Sequence, residues 1–474
     1  MPCDLYVDAD GTLLRTDLLI EAAWRYCKFA PWRVFFLLRL ALKGPAVLKS
    51  FLARHVRIDV ACLPYEAGLV DHLRQRKAQG GQIYLMTASH WTYARAIARH
   101  LGLFDGAYGS TNRLNLKGPA KLAAIQRLSA GKHFTYAGDS AADRPIWAEA
   151  DKAILVNAPR QDVEAAQKAG QAELVIRSKP SRLRAWRREM RLHQWAKNGL
   201  VLLPLLTSHN YGDLHKVWLT LVAFLAFGLC ASGHYFLNDL LDLDADRVHV
   251  RKRQRPLASG DLPILHGVAG AVLLPLISFA LSLALLPWRF TAVLAAYFLL
   301  TNLYSFYFKR ISTADVFVLA SLYTTRVVAG AAAISVVVSS WLLAFSMFLF
   351  LSLAYLKRYI EMQALAGSPT KASGRGYSGA DVDTMFTLGI GNSTAAVLVL
   401  ALYISSPEVA ELYHRPDFLW GLCLLILYWS NRVWVGARRG KIHDDPVVFA
   451  LKDRVSLLVG GACVLVVLAA RLVP

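Results

Sequence analysis

Cysteine is scarce in this chain. Its six cysteines, Cys3, Cys27, Cys62, Cys230, Cys423 and Cys463, are scattered through 474 residues. No CxxC pair occurs, so neither a disulfide framework nor a cysteine zinc site is implied. Acidic residues are also in short supply. Asp and Glu number 33 against 53 Lys and Arg, a formal net charge of +20. Such a balance calls for an anionic surface or anionic substrates. Nucleic acid is disfavoured, because the basic residues cluster in loops between apolar runs. The N-terminus opens on a strand-like segment and an acidic motif, so no secretory signal peptide is expected. Hydrophobic residues make up 55% and charged residues 18%, but unevenly. Residues up to about 180 have the composition of a soluble domain. After about 198 the apolar stretches become long enough to span a bilayer.

The few acids are concentrated. Asn238-Asp239-Leu240-Leu241-Asp242-Leu243-Asp244-Ala245-Asp246-Arg247 sits where a long apolar run ends and a basic loop begins. If a helix continues through it, Asn238, Asp242 and Asp246 share one face at i, i+4 and i+8, with Asp239 beside them. Carboxylates at the mouth of a membrane helix are costly unless something cationic binds there. Hard oxygen ligands suit Mg²⁺, which also keeps waters and substrate phosphate oxygens. The stretch therefore predicts the Mg²⁺-diphosphate site of a membrane transferase.

In the N-terminal part, Leu5-Tyr6-Val7 predicts a short buried strand running into Asp8-Ala9-Asp10-Gly11-Thr12-Leu13. Two carboxylates at i and i+2 both reach one phosphoryl group when the chain turns into a loop, and the glycine permits the turn. This DxDGT motif resembles the haloacid-dehalogenase (HAD) phosphatase superfamily, and three further motifs follow in the family's order. They are Ile83-Tyr84-Leu85-Met86-Thr87-Ala88-Ser89, Asn115-Leu116-Lys117-Gly118 and Tyr136-Ala137-Gly138-Asp139-Ser140-Ala141-Ala142-Asp143. The resemblance implies an α/β, Rossmannoid domain over 1–178 with a helical cap. Asp8 would be the nucleophile and Asp10 the general acid/base, both counted with Asp139 and Asp143 around Mg²⁺. Thr87 would bond the phosphoryl group, and the motif lysine would be Lys117, with Lys121 as the other candidate. The interval between Asp10 and Thr87 accommodates the cap. Within it, 30–43 is too short and too charged to span a membrane. It either lies in the lipid interface with its aromatics inward or packs on protein.

A basic linker, 179–197, leads into a second part, 198–474, predicted to be all-α and polytopic. Apolar runs lie near 198–207, 217–237, 264–286, 291–308, 314–338, 341–356, 385–404, 418–435 and 455–472, about nine spans. Basic loops at 247–255, 309–310, 357–375 and 438–454 alternate with loops poor in positive charge. The positive-inside rule assigns the basic loops and the N-terminal domain to the cytoplasm, and the protein to the cytoplasmic (inner) membrane.

NDxxDxxxD at the end of the second span, followed by Arg253-Gln254-Arg255-Pro256-Leu257-Ala258-Ser259-Gly260, resembles the UbiA prenyltransferase superfamily over roughly 185–474. The resemblance implies that Asn238, Asp239, Asp242 and Asp246 bind Mg²⁺ and a diphosphate leaving group. Asp239 and Asp242 would be catalytic, and Lys252 and Arg255 would neutralise the leaving group. The second DxxxD-type motif of the aromatic prenyltransferases is missing after the sixth span; Asp381 and Asp383 come late. Instead Gln194-Trp195-Ala196-Lys197-Asn198, Tyr304-Ser305 with Lys309, Asp315, Lys357-Arg358 with Glu361, and Arg375-Gly376-Tyr377 resemble the decaprenyl-phosphate phosphoribosyltransferase branch. That branch moves phosphoribose from 5-phosphoribosyl diphosphate to polyprenyl phosphate. A lipid phosphate and a sugar phosphate ask for cations, which Lys197, Lys309, Lys357 and Arg358 supply; Tyr304 and Glu361 belong to the same substrate set. The alternative is a polyprenyl-diphosphate prenyltransferase acting on an aromatic or other acceptor. His443-Asp444-Asp445-Pro446 with Asp453 is either a structural turn or a site.

Overall fold

The computed structural model describes residues 3–363, 377, 379–442 and 445–473. The N-terminal domain is built on six parallel strands: β1 (Asp4–Val7), β2 (Ile83–His90), β3 (Gly106–Ser110), β4 (Phe134–Gly138), β5 (Lys152–Val156) and β6 (Ala172–Ile176). Their order is β3-β2-β1-β4-β5-β6. The strands read as continuous apolar runs because helices cover both faces of a parallel sheet; Leu5, Tyr6 and Val7 are all fully buried. The strand order reverses beside β1, which pairs with both β2 and β4. A crevice forms at the carboxyl ends of the strands at such a switch point. Asp8 follows β1, Thr87 lies in β2 and Asp139 follows β4. The expected α/β HAD-like architecture is therefore present.

Between β1 and β2 the chain makes the expected helical cap: Leu18–Cys27, Arg33–Ala41 and Pro45–His55. Asp17 starts the first of these, accepting from the backbone N–H groups of Leu19 and Ile20. The crossover helix Ala67–Ala78 then returns the chain to the sheet.

The chain forms two compact units. One comprises Met1–Met190 with Tyr235–Ala271; the other comprises Arg191–His234 with Val272–Pro474. Tyr235–Ala271, which lies in sequence beyond the expected linker at 179–197, groups with the first unit. The physical reason is a set of polar contacts inside the first unit. Arg15 pairs with Asp261 at 2.7 Å, and Trp186 Nε1 donates to His266 Nδ1 at 3.1 Å. Gly260, with φ +74°, lies so close to Arg15 that a Cβ there would stand 2.7 Å from Arg15 Cβ.

Among the described residues, seven helices are long and apolar enough to cross a membrane: Leu214–Leu241, Ile264–Leu285, Ala314–Ala333, Ser340–Gln363, Val382–Ile404, Pro416–Arg438 and Arg454–Leu472. The expected nine are not reached. Trp288–Phe306 is helical for 19 residues but carries Arg289 and Asn302. The 198–207 run is divided between a 3₁₀ segment, Leu192–Leu202, and the five-residue helix Leu203–Thr207. Ten residues rise only about 15 Å as a helix, half of a bilayer core of roughly 30 Å. The aromatic core of the second unit includes Tyr323, Phe350, Tyr355, Tyr359 and Trp434.

Candidate active sites

The crevice of the N-terminal sheet gathers three carboxylates. Asp8, Asp139 and Asp143 each offer an oxygen within 4.8 Å of the others. Gly11, with φ +79°, brings the DxDGT loop against them; a Cβ at Gly11 would lie 2.2 Å from Asp139 Oδ2. Lys121 Nζ lies 2.8 Å from Asp8 Oδ2 and 3.8 Å from Asp143 Oδ1, and donates to Tyr136 OH at 3.0 Å. Tyr136 OH in turn donates to Asp143 Oδ1 at 2.8 Å. Burial pushes Asp139 up to about 7, helped by Asp8 and Asp143. Burial also raises Asp8, with Lys121 opposing. Three crowded oxygen donors with one buried lysine suit a hard divalent cation such as Mg²⁺.

Asp10 stands apart from that trio. Its Oδ2 accepts from Ser89 Oγ at 2.6 Å and Thr87 Oγ1 at 3.2 Å, and its Oδ1 accepts from Leu18 N at 2.8 Å. Burial raises it to about 7, with Asp17 and Asp8 adding and the Ser89 bond opposing. A carboxyl protonated near neutrality is suited to proton transfer. Its side chain is not in the metal group, contrary to the expected ligand set. The lysine expectation also needs correction. Lys117 is exposed, whereas Lys121 is buried. The helix Pro119–Ser129 starts after Gly118 and turns Lys121 inward. Sequence reasoning missed Lys49, whose Nζ donates to Ala88 O at 2.6 Å and Asn115 Oδ1 at 2.8 Å.

The NDxxDxxxD stretch keeps helical hydrogen bonding through its break. The long helix ends at Leu241 and a short one covers Leu243–Val248. Even so, Asp242 N donates to Asn238 O at 2.9 Å and Asp246 N to Asp242 O at 2.8 Å, so the shared face persists. Asp239 and Asp246 are buried, Asn238 and Asp242 half-buried. Arg255 Nη1 bridges the buried pair, 3.0 Å from Asp239 Oδ1 and 2.6 Å from Asp246 Oδ2; Lys252 Nζ lies 3.9 Å from Asp246 Oδ1. Burial raises Asp246, Arg255 opposes it and Asp239 adds to it. The four residues supply only hard oxygen donors, which fit Mg²⁺ in kind.

The intervening residues of that stretch engage the cap. Arg247 is held by the fully buried Glu21, with Nη2 at 2.5 Å from Oε1 and Nη1 at 3.2 Å from Oε2. Glu21 also pairs with Arg25, which reaches Asp244 Oδ1 at 2.5 Å. Trp24 Nε1 donates to Leu240 O at 3.0 Å. One face of the cap helix Leu18–Cys27 thus grips the segment that carries the acidic motif.

In the second unit, Arg358 is buried at the centre of a polar network. Its Nε donates to Asp315 Oδ2 at 2.6 Å, Nη1 to Glu361 Oε2 at 2.6 Å and Nη2 to Tyr304 OH at 2.7 Å. Tyr377 OH donates to Asp315 as well. Lys197 and Lys357 converge on Asp445 Oδ2 at 2.7 and 3.2 Å. Burial favours a raised Asp445, but Lys357 and Lys197 hold it well below the usual carboxylate range. The QWxKN motif divides its labour: Trp195 Nε1 donates to Ser232 Oγ at 2.9 Å, and Asn198 Oδ1 accepts from Arg326 Nε at 3.1 Å. Arg326, not singled out from sequence, is buried among the rings of Phe227, Tyr297 and Tyr323. Lys309 is half-buried in the turn Phe308–Arg310. Asp453 forms a two-pronged pair with Arg432 at 2.7 and 3.0 Å and caps the helix Arg454–Leu472 through Ser456, a structural role. Lys371, Arg375, Gly376, His443 and Asp444 lie outside the described residues.

A model of the UbiA prenyltransferase family matches residues 201–467. The protein y4nM of Sinorhizobium fredii (strain NBRC 101917 / NGR234) is 37% identical over 463 residues, which is 96% of this chain and 89% of that protein. The decaprenyl-phosphate phosphoribosyltransferase of Mycolicibacterium smegmatis is 31% identical over 282 residues, 56% of this chain and 86% of that enzyme. Among solved structures, a UbiA homolog from Archaeoglobus fulgidus bound to GPP and Mg²⁺ is similar at 16% identity with a TM-score of 0.45. The match covers 60% of this chain and 99% of that one.

Proposed function

Since this chain belongs to the UbiA prenyltransferase family, we propose that its membrane half transfers 5-phosphoribosyl from 5-phosphoribosyl diphosphate to a polyprenyl phosphate, and that its N-terminal domain then removes the 5′-phosphate. The observation that carries the transfer step is the surplus positive charge of Lys197 and Lys357, two cations that share the single carboxylate of Asp445 in the second unit. With the Arg358 network of Asp315, Glu361 and Tyr304, they are the polar groups of a half whose sequence lacks a second acidic motif. A prenyl-diphosphate donor with a neutral acceptor does not call for them; a lipid phosphate and a sugar phosphate do. The similarity to a decaprenyl-phosphate phosphoribosyltransferase points the same way.

In the transfer step, an oxygen of the lipid phosphate attacks the anomeric carbon as its bond to the diphosphate breaks. Asn238, Asp239, Asp242 and Asp246 would hold Mg²⁺, which when bound would supply positive charge to the departing diphosphate. Arg255 and Lys252 take up its remaining charge, and Lys309 serves the phosphate-bearing substrates. In the second step the Asp8 carboxylate attacks the 5′-phosphorus, the P–O bond to ribose breaks and Asp10 gives its proton to the leaving oxygen. Water attacking the aspartyl-phosphate then loses its proton to Asp10, releasing phosphate. Asp8, Asp139 and Asp143 are the residues to hold Mg²⁺ there, and Lys121 neutralises the phosphoryl oxygens.

The test uses full-length protein in detergent with Mg²⁺, 5-phosphoribosyl diphosphate labelled in the ribose, and a polyprenyl phosphate. Label is expected in the lipid phase and absent with Asp239→Asn. No lipid label, together with turnover of a prenyl diphosphate, would return the chain to prenyl transfer.

A further inference from the structure

The helix Arg33–Ala41 of the cap buries only Leu37. Apolar side chains crowd its outside. Phe29 is 74% exposed, Trp32 69%, Phe35 72%, Leu38 57% and Leu42 89%. The inner side is accounted for: Leu37 enters the domain core, and Phe36 sits edge-on to Phe51 of the helix Pro45–His55 at 5.2 Å. The outer face therefore has no role in holding the cap together. A soluble domain rarely leaves such a contiguous aromatic and aliphatic patch in water.

The charges around the patch say what covers it. From Ala22 to Ile58 the chain has no Asp or Glu, yet it holds Arg25, Lys28, Arg33, Arg39, Lys43, Lys49, Arg54 and Arg57. Arg33 and Arg39 lie on the exposed helix itself, and Lys28 and Lys43 flank it. An open cavity of about 710 Å³ adjoins its start, its walls including Arg25, Lys28, Arg33 and Arg57 against two acids, Asp59 and Asp244. Exposed aromatics bounded by cations match the boundary between lipid acyl chains and anionic headgroups. A soluble protein partner with an apolar groove would match the rings but not the one-signed rim.

We propose that Phe29, Trp32, Phe35, Leu38 and Leu42 dip into the bilayer surface, with Lys28, Arg33, Arg39 and Lys43 at the phosphate headgroups. The cap is thereby a lipid-docking element of the N-terminal domain. Resting on the phosphatase assignment above, docking gives the cap a part in substrate capture. A phosphomonoester carried on a polyprenyl lipid stays at the membrane, and a docked cap meets it there.

The experiment uses the full chain in nanodiscs of phosphatidylethanolamine and phosphatidylglycerol. Its six cysteines are replaced by alanine, and Phe35→Cys or Leu38→Cys is labelled with an environment-sensitive fluorophore. The exposed Lys168→Cys serves as reference. Lipids carrying a nitroxide on the acyl chain should quench both cap labels several-fold more than the reference, and iodide several-fold less. Equal iodide quenching at all three sites would overturn the proposal. So would iodide protection without lipid quenching that grows with the number of chains per disc, the signature of a second copy on the patch. In a second arm, Phe35→Asp with Leu38→Asp should leave hydrolysis of a water-soluble phosphomonoester within twofold and lower that of the lipid-borne phosphate at least tenfold. Equal effects on both would overturn the cap's part in substrate capture. Lipid quenching in a wild-type protein that hydrolyses neither substrate would uphold docking and refute the phosphatase assignment instead.

Discussion

Glu21→Gln tests whether the cap grips the acidic-motif segment. Glu21 is fully buried and accepts from both Arg247 and Arg25. The substitution keeps the shape and removes the charge, leaving Arg247 buried against a neutral amide. Removing one partner of a buried pair costs about 3–5 kcal/mol, because the other charge loses its compensation. In a domain of this size that amounts to roughly 2–4 °C of melting temperature per kcal/mol. The pH dependence has a defined sign. Burial raises Glu21, but Arg247 outweighs it and the carboxyl lies below its ordinary value of 4.5. The pair therefore stabilises fully above that value, and the contribution is lost as pH falls through the lower, folded-state value. Thermal melting of the full chain in detergent, read at neutral pH and in steps below pH 5, should show wild type losing stability on acidification. Glu21→Gln should start lower and show a shallower loss. Adding Arg247→Met should recover part of the deficit, since the uncompensated charge goes with it. A shift under 1 °C for Glu21→Gln, or an unchanged acid limb, would refute the grip.

The cap contact predicts a second, functional effect: Glu21→Gln should also lower lipid labelling by the transferase, because Arg247 lies one residue from Asp246; unaltered transfer with a lowered melting point would confine Glu21 to stability. Lys121→Ala should lower phosphomonoester hydrolysis at least a hundredfold while Lys117→Ala stays within about threefold, since Lys121 alone of the two reaches Asp8; equal losses would contradict the assignment. Arg358→Lys should cost about 10–100-fold in transfer despite keeping the charge, because one ammonium cannot replace three separate guanidinium bonds to Asp315, Glu361 and Tyr304; near-normal kinetics would make the network dispensable. Chelation should abolish both activities and Mg²⁺ restore them, measured separately with labelled donor and with a soluble phosphomonoester.

The amino-acid order made some of this legible and hid the rest for identifiable reasons. Asp8 and Asp139 were readable as candidates because each follows a strand whose apolar run is continuous, Thr87 because it lies within β2, and Asp143 because it closes the turn four residues beyond Asp139. The lysine was ambiguous. Lys117 and Lys121 differ by about one helical turn, and only the helix start after Gly118 decides which faces inward. The family resemblance counts Asp10 among the metal ligands, yet its carboxylate turns to Ser89 and Thr87. Glu21 was invisible, being a lone acid in a short amphipathic helix whose partner Arg247 lies 226 residues away. Arg326 was hidden likewise: its partners are the Leu322 carbonyl, the Asn198 amide, the Tyr297 hydroxyl and ring faces, which leave no charge pattern in the chain. Apolar length alone could not foresee that 198–207, which contains Gly199 and Pro204, breaks into short pieces.

The central claim, that one chain both attaches phosphoribose to a lipid phosphate and strips its 5′-phosphate, is tested most directly by the mass of the lipid product. Wild type and Asp8→Asn are each incubated with 5-phosphoribosyl diphosphate, polyprenyl phosphate and Mg²⁺, and the lipid extract is weighed by mass spectrometry. Wild type should yield polyprenyl phosphoribose, and Asp8→Asn the same lipid heavier by one phosphate, in similar total amount. Identical products from the two proteins would contradict it.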